Sequence, residues 1–592
     1  MPQVRDGFVS LMGGMSGRIQ PELLNETAYA RGINISSRGG LVRTRPVFRM
    51  FPWQPTTLTA GTFQGVGVFR LQGTDRLVFA SSGHLEAVNL TTGELTGYSQ
   101  GLSAAQPLAY FCQADKYFIC QDGASIPVII NPADVPTDCR QADQSLPNHE
   151  VPTGTIMAYG HGRLFVVVTN VGGVSAGNRF FAAGDIIQQP NHPEYVLRFT
   201  ETDYLAGGGA FSLPSEMGYI TGMCFLRNAQ SGTGIGNLVV FARRGVSSFV
   251  VSVARSTWGS VDISQVLFMD AGTYSPFSII PVNNDIVFRG QDGLRTIGYT
   301  ATGAGSSNLY NDPVSTDVAE WFENESIVNL QRCSTAWVNS RVFCTAMPET
   351  EACVQHYRGL VSLDASVIAS MGQASPSIFD GIWTGFRFLR IASALYRGKE
   401  TLFAVVRSGG SNLLYYLDEV DSEILDEDNI PDDSPGGKEP TCRLYTRAFE
   451  GGDAGRGRDK RISFVDLWFK ELLGAILVKV YYRPAGYELW NLMGATTIAA
   501  GAGLRQHRSR IRFGAGPEVF SDATKQSVLR GLAFQLCVEW TGEAALQRCH
   551  VGMETQDDSS RLACSSSENS GTDLLPGNGG VELNDFDYEV LP

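Results

Sequence analysis

A chain of 592 residues is too long for one core and implies about two to four domains. Hydrophobic residues at 43% suffice for burial, whereas charged residues at 18% fall below the usual ~25% and 66 glycines exceed the usual ~7%, so short strands and tight turns are favoured over long helices. The formal net charge of −14 excludes a general nucleic-acid binder, because phosphate affinity needs clustered Lys and Arg, and leaves room only for local basic strips.

Residues 1–50 read as an N-terminal arm with a short helix expected around Pro21 to Arg31. The opening MPQVRDGFVSLMGG lacks the charged-then-apolar pattern of a signal peptide, and no apolar run approaches the ~20 residues of a bilayer span. The expectation is a protein made and folded in a cytoplasm, without membrane insertion. The arm ends in SSRGGLVRTRPVFRM, where two glycines supply unusual backbone angles and Pro46 drives Arg45 into an extended conformation. This reads as a fixed turn feeding a strand and setting the arm's path into the first blade.

From 51 to 417 one unit recurs with variations: an apolar strand, a polar turn, a strand centred on Phe, another turn and a third strand. The central phenylalanines are Phe79, Phe118, Phe165, Phe241, Phe288, Phe343 and Phe403. Their spacing, roughly 40 to 75 residues, is that of antiparallel sheets arranged radially. An all-β fold with a β-propeller-like domain of about six to seven blades is therefore expected, and Asp292-Gly293 between apolar runs marks one of its hairpins.

Residues 418–440 are acidic, bear Pro and Gly, and read as a linker. From 441 to 564, TCRLYTRAF, RISFVDLWF, AILVKVYYRP, RSRIRFG and LAFQLCVEWTG alternate apolar and polar residues, the pattern of an antiparallel β-sandwich. The polar, glycine-rich residues 565–592 read as a flexible tail, ordered only by a partner. Eleven cysteines without a C-x-x-C pair read as reduced, mostly buried thiols.

Signals of chemistry are weak. Gly173, Ser175 and Gly177 have the G-x-S-x-G spacing of a nucleophile elbow, but NRFFAAGD after them looks like a strand where a helix is required. GTGIGN, near Gly232 to Gly236, and GGKEP, around Lys438, lack the spacing and the helix of a phosphate loop. Seven dispersed histidines offer no zinc spacing, and Asp292 and Asp380 in Asp-Gly pairs read as turn formers before glycosidase carboxylates. No catalytic, cofactor or metal site is expected.

Two basic strips stand out. One holds Arg456, Arg458, Lys460 and Arg461, the other Arg505, Arg508, Arg510 and Arg512. Arg508, Arg510 and Arg512 recur every two residues and share one face of a strand. Like charges in a row invite an opposite charge, and the sharper expectation is an inter-subunit contact with the acidic 418–433 segment of a neighbouring copy. A solvated strand face and a strip facing DNA in a channel are the alternatives.

GGMSGRIQPELLNETAYARGINISSRGGLVRTRPVF resembles the start of tail nozzle proteins, also called tail tubular protein B, of short-tailed bacteriophages. The matching positions are Gly13, Gly14, Gly17, Arg18, Gly32, Asn34, Gly39, Gly40, Arg45 and Pro46, with Val47 where such proteins usually continue with Gly. The resemblance implies a propeller-bearing, non-enzymatic virion protein. Six copies would form a tapered tube below the portal and adaptor ring, near tail fibres or spikes, through which double-stranded DNA passes. A receptor- or glycan-binding propeller of the tail is the alternative, and a propeller glycosidase or lyase a third reading.

Overall fold

In a computed structural model, the chain is described for residues 3–555 and 580–581 apart from internal stretches, the longest being 139–149, 200–209, 299–312, 366–377, 419–439 and 513–529. The acidic segment, Lys438, Arg505 and nearly all of the 565–592 tail lie outside the described residues.

The protein is all-β, and its larger part is a ring of seven antiparallel units. The innermost strands are Phe63–Leu71, Tyr110–Ala114, Gly154–Gly160, Ile220–Arg227, Ile280–Val282, Thr335–Val338 and the second half of Ile378–Tyr396. Each packs on the next, and the last packs back on the first, so the ring closes. All seven predicted phenylalanines lie on the second strand of their blade and are buried. They pack between blades: Phe118 stacks on Phe69 of blade 1 at 5.0 Å, and Phe241 of blade 4 meets Phe288 of blade 5 at 5.1 Å. Two-residue turns with positive φ at both central positions, such as Ser82-Gly83 and Arg397-Gly398, match the twist of the strands they join.

Ile378–Tyr396 serves two blades. Its first half pairs with Val354–Asp364 of blade 6, and its second half with Lys399–Ser408 of blade 7. Blade 7 is completed by the arm strand Val47–Met50, paired with Ser411–Asp418. The turn at Ser36–Gly40 thus delivers the chain to the outer edge of the last blade and only then, through Thr56–Ala60, to the first. This corrects the expected path directly into blade 1, and it closes the ring with strands from both ends of the propeller sequence.

The C-terminal sandwich is one sheet folded over itself. Lys460–Pro484 and Phe534–Thr555 run antiparallel along their whole lengths, with register breaks between Lys470 and Leu477 that bend both. One half-sheet adds Thr441–Phe449 and Trp490–Ala499, the other His507–Arg512 and the arm strand Gln3–Phe8. Its inward residues, among them Val465, Leu467, Val538 and Trp540, share one continuous core with Phe379 and Trp383 of blade 6.

The arm is woven into both parts. No helix forms between Pro21 and Arg31; turns there lead to Ala28–Tyr29 and Arg31–Ile33. The second of these strands is seated between blade 6, where Ile33 pairs with Ile382, and Thr441–Phe449. That seat overrides the helical propensity of PELLNETAYAR, because an extended strand satisfies its backbone on two sides at once. Asn34, 2% exposed, ties three segments together. Its side-chain oxygen accepts from Arg45 Nε at 3.0 Å and from the Thr384 amide at 2.7 Å, and its amide donates to the Thr441 carbonyl at 3.1 Å.

Asp380, fully buried, accepts from the Ser37 amide at 2.8 Å, the Ser37 hydroxyl at 2.9 Å and the Ser362 hydroxyl at 3.0 Å, and pairs with Arg341 at 3.3 Å. It lies within a strand, so its expected role as a turn former is corrected; Asp292, by contrast, stands at the tip of its hairpin and pairs with Arg295 at 2.6 Å. The Tyr29 hydroxyl donates to the Asp380 carbonyl at 2.9 Å, and burial pushes its pKa well up. Most of the described cysteines are buried.

Candidate functional site

The strand register of the second half-sheet builds a charged face from four distant segments. Asp466 lies opposite Arg510 on one side and His550 on the other; Phe464 lies between Arg512 and Gly552, and Trp468 between Arg508 and Arg548. The arm strand extends two of these rows, with Arg5 beside Gly552 and Gly7 beside His550. Directly opposed residues point to the same side of a sheet. The alternate residues Val465, Leu467, Ile511, Cys549 and Val551 are buried on the other side. Five arginines, at 5, 508, 510, 512 and 548, therefore share one exposed face of an acidic protein.

Aromatic rings lie among these arginines. The guanidinium of Arg510 lies 4.1 Å over the Phe464 ring and that of Arg508 5.2 Å over Trp468, which meets His550 edge-on at 4.7 Å. A Cβ on Gly552 would stand 2.3 Å from the Phe464 ring, so the missing side chain makes room for it.

Asp466 is the carboxylate answering the strip: Arg508 reaches it at 2.6 Å, and Arg510 grips it with two bonds at 2.6 and 2.7 Å. The opposite charge facing these two arginines thus comes from the neighbouring strand of the same chain, where a second subunit was expected. Arg5, Arg512 and Arg548 make no ion pair with a described residue. Burial, and then the charges of Arg548, Arg5 and Arg508, lower the pKa of His550 against the opposing pull of Asp466, so it is neutral at pH 7 and does not add to the charge.

The first strip is largely self-neutralised. Arg456 pairs with Glu450 at 3.0 Å and Arg461 with Glu554 at 2.7 Å. Lys460 is buried and donates to the carbonyls of Arg458, at 2.9 Å, and Leu532, while burial lowers its pKa. Arg458 is exposed. Sequence reasoning missed Arg5, Arg548, Trp468 and Asp466, because only the pairing of strands from about 40 to about 500 residues apart brings them beside Arg508 and Arg510.

Ser175 lies on the second strand of the hairpin pairing Asn170–Val171 with Val174–Ser175, so the strand-to-helix turn of a nucleophile elbow is not formed. Gly234 opens directly into the strand Ile235–Ala242. Among the described residues no group of three or more His, Cys, Asp or Glu is placed to hold a metal ion, and no helix is long and apolar enough to cross a membrane.

The burial of Asp466 pushes its carboxyl up, but the bonds from Arg510 and Arg508 outweigh this and leave its pKa below the ordinary carboxylate value. A depressed folded-state pKa contributes stability above the unfolded value, lost as pH falls through the folded one. Asp466→Asn is expected to be less stable than the wild type at neutral pH, with the difference starting to shrink below about pH 4 and vanishing once the pH is under the depressed folded-state value. Urea midpoints across pH 2–7 check this; a gap independent of pH would mean that the carboxylate's charge is irrelevant.

Neither a protein-family model nor a curated protein matches the chain. Among solved structures, one match is the crystal structure of the computationally designed Ika8 protein, at 9% identity, covering 60% of this chain and 97% of that one with a TM-score of 0.28. A likeness at that score decides nothing about the fold.

Proposed function

We propose that the chain is a non-enzymatic structural subunit of a virion tail, a nozzle subunit that forms a sixfold tube retaining and conducting double-stranded DNA. The observation that carries this reading is the arm. The residues through which it resembles tail nozzle proteins are those that stitch propeller and sandwich together, Asn34 and Arg45 above all, and the same arm supplies Arg5 to the basic face. Such a body suits a load-bearing ring. In the tube, net negative charge repels the DNA backbone and lets it slide, while the basic face meets acidic surface of a neighbouring copy or of the adaptor ring.

The deciding experiment is cryo-electron microscopy of particles from the source, with a symmetry-resolved reconstruction of the tail. Density for this chain in a ring around the DNA exit supports the proposal; its absence from particles, or its presence only on a peripheral fibre, removes it. Within it, the triple variant Arg5→Glu, Arg512→Glu, Arg548→Glu is expected to drop out of assembled tails while its unfolding free energy stays within about 0.5 kcal/mol of wild type, since these exposed side chains have no ion-pair partner among the described residues. Incorporation at the wild-type level would exclude this face from the subunit contacts.

The second reading, a receptor- or glycan-binding propeller, is favoured by one cavity of about 470 Å³ lined by Asn339, Tyr396, Arg397, Glu400 and Asp418 at the junction of blades 6 and 7.

A further inference from the structure

Four side chains from four blades converge at one end of the propeller axis, because each stands at or just before the start of an innermost strand. Tyr110 opens the innermost strand of blade 2; Phe277 and Arg332 lie in the short turns Pro276–Ser278 and Asn329–Arg332 ahead of blades 5 and 6; Arg390 lies early in the blade 7 half of Ile378–Tyr396. The guanidinium of Arg390 lies 3.4 Å over the Phe277 ring, and Phe277 stacks on Tyr110 at 5.6 Å and 21°. Arg, Phe and Tyr thus form a pile across the axis.

Arg390 is 3% exposed, its Nε has no hydrogen-bond partner, and it forms no ion pair with any described residue. Two other buried arginines are answered by carboxylates: Arg289 by Glu325 at 2.9 Å, and Arg341 by Asp380. The groups acting most strongly on Arg390 are a second cation, Arg332, two phenols, Tyr357 and Tyr110, and the Cys333 thiol. Arg332 donates to the Pro107 carbonyl at 3.0 Å, and the Tyr357 hydroxyl to the Asn329 carbonyl at 2.5 Å. Burial, and then Arg332, lower the pKa of Arg390 to about 9, so it stays charged at neutral pH. A buried cation beside a second cation costs far more than one ring contact returns, and the Arg390 Nε has no acceptor among the described residues to make up the difference.

We propose that this end of the axis is a binding site for one small tetrahedral oxyanion, of the phosphate or sulfate class, held by Arg390 and Arg332 with the Tyr110 hydroxyl as a third donor. Guanidinium groups match such an anion with paired N–H bonds, and the anion supplies the charge that no described residue brings to Arg390.

The test is equilibrium dialysis of the purified full chain against radiolabelled inorganic phosphate at constant ionic strength, with thermal unfolding in parallel. The wild type is expected to bind about one phosphate per chain saturably, with a melting temperature that rises with its concentration. Arg390→Gln is expected to weaken binding by at least about tenfold, Arg332→Gln comparably and Tyr110→Phe less. Should Arg390→Gln fail to fold, the other two variants carry the test. No saturable binding of phosphate or sulfate up to about 10 mM, variants that bind like wild type, or acetate binding as well as phosphate would each overturn the assignment.

Discussion

Asp380→Ala is expected to destabilise the protein by about 3–5 kcal/mol, the cost of leaving a buried charge without its partner. Arg341, 2% exposed, would keep the neutral Ser36 hydroxyl and one carboxylate among the described residues, Asp364, whose nearest oxygen is 3.7 Å from its Nε and already accepts from Arg38 at 2.7 Å. The Ser37 amide and hydroxyl, and the Ser362 hydroxyl, would lose their acceptor at the same time. Because Ser37 belongs to the arm and Ser362 and Arg341 to blade 6, the loss falls on the joint between them. Urea denaturation should show a lowered midpoint, and limited proteolysis should cut within residues 1–50 at protease levels that spare the wild type. Asp380→Asn retains an acceptor for Ser37 and should fall between the two. An unchanged midpoint with an unchanged cleavage pattern would remove this carboxylate as the arm's anchor.

The same residue marks the limit of sequence reading. Asp-Gly between apolar runs is a local signal for a hairpin, and at Asp292-Gly293 it is one; at Asp380-Gly381 the pair sits inside a strand because the arm crosses there. Local chemistry cannot distinguish the two, since what differs is a segment some 350 residues away. The seven phenylalanine strands were legible because burial between blades imposes the same pattern within each unit. The arm was legible as a turn and a strand, but not as the outer edge of blade 7. Arg508, Arg510 and Arg512 were correctly placed on one strand face, while Asp466, which neutralises two of them, stands alone among apolar neighbours in RISFVDLWF and gives no signal until the strands pair.

Gly381→Ala is expected to be the more disruptive change. Gly381 has φ of +121°, and a Cβ built on it would stand 2.1 Å from the carbonyl oxygen of Gly32; a Cβ on Gly32 would stand 2.4 Å from that of Asp380. Both contacts are with backbone. Gly32 cannot retreat, because it is paired with Leu444 of the sandwich on its other side. A loss above about 4 kcal/mol is therefore expected, in the exceptional range that overpacking against backbone and forced backbone strain can reach. Gly39→Ala is the control: its φ is +77° but nothing lies within 4 Å of the added carbon, so it should cost only the left-handed strain, about 1–2 kcal/mol. Chemical denaturation of both variants, with far-ultraviolet circular dichroism to confirm that the remaining blades persist, separates steric from conformational demand. If Gly381→Ala proved no worse than Gly39→Ala, the arm would not be gripped between blade 6 and the sandwich, and the rigid joint on which the nozzle proposal rests would be lost with it.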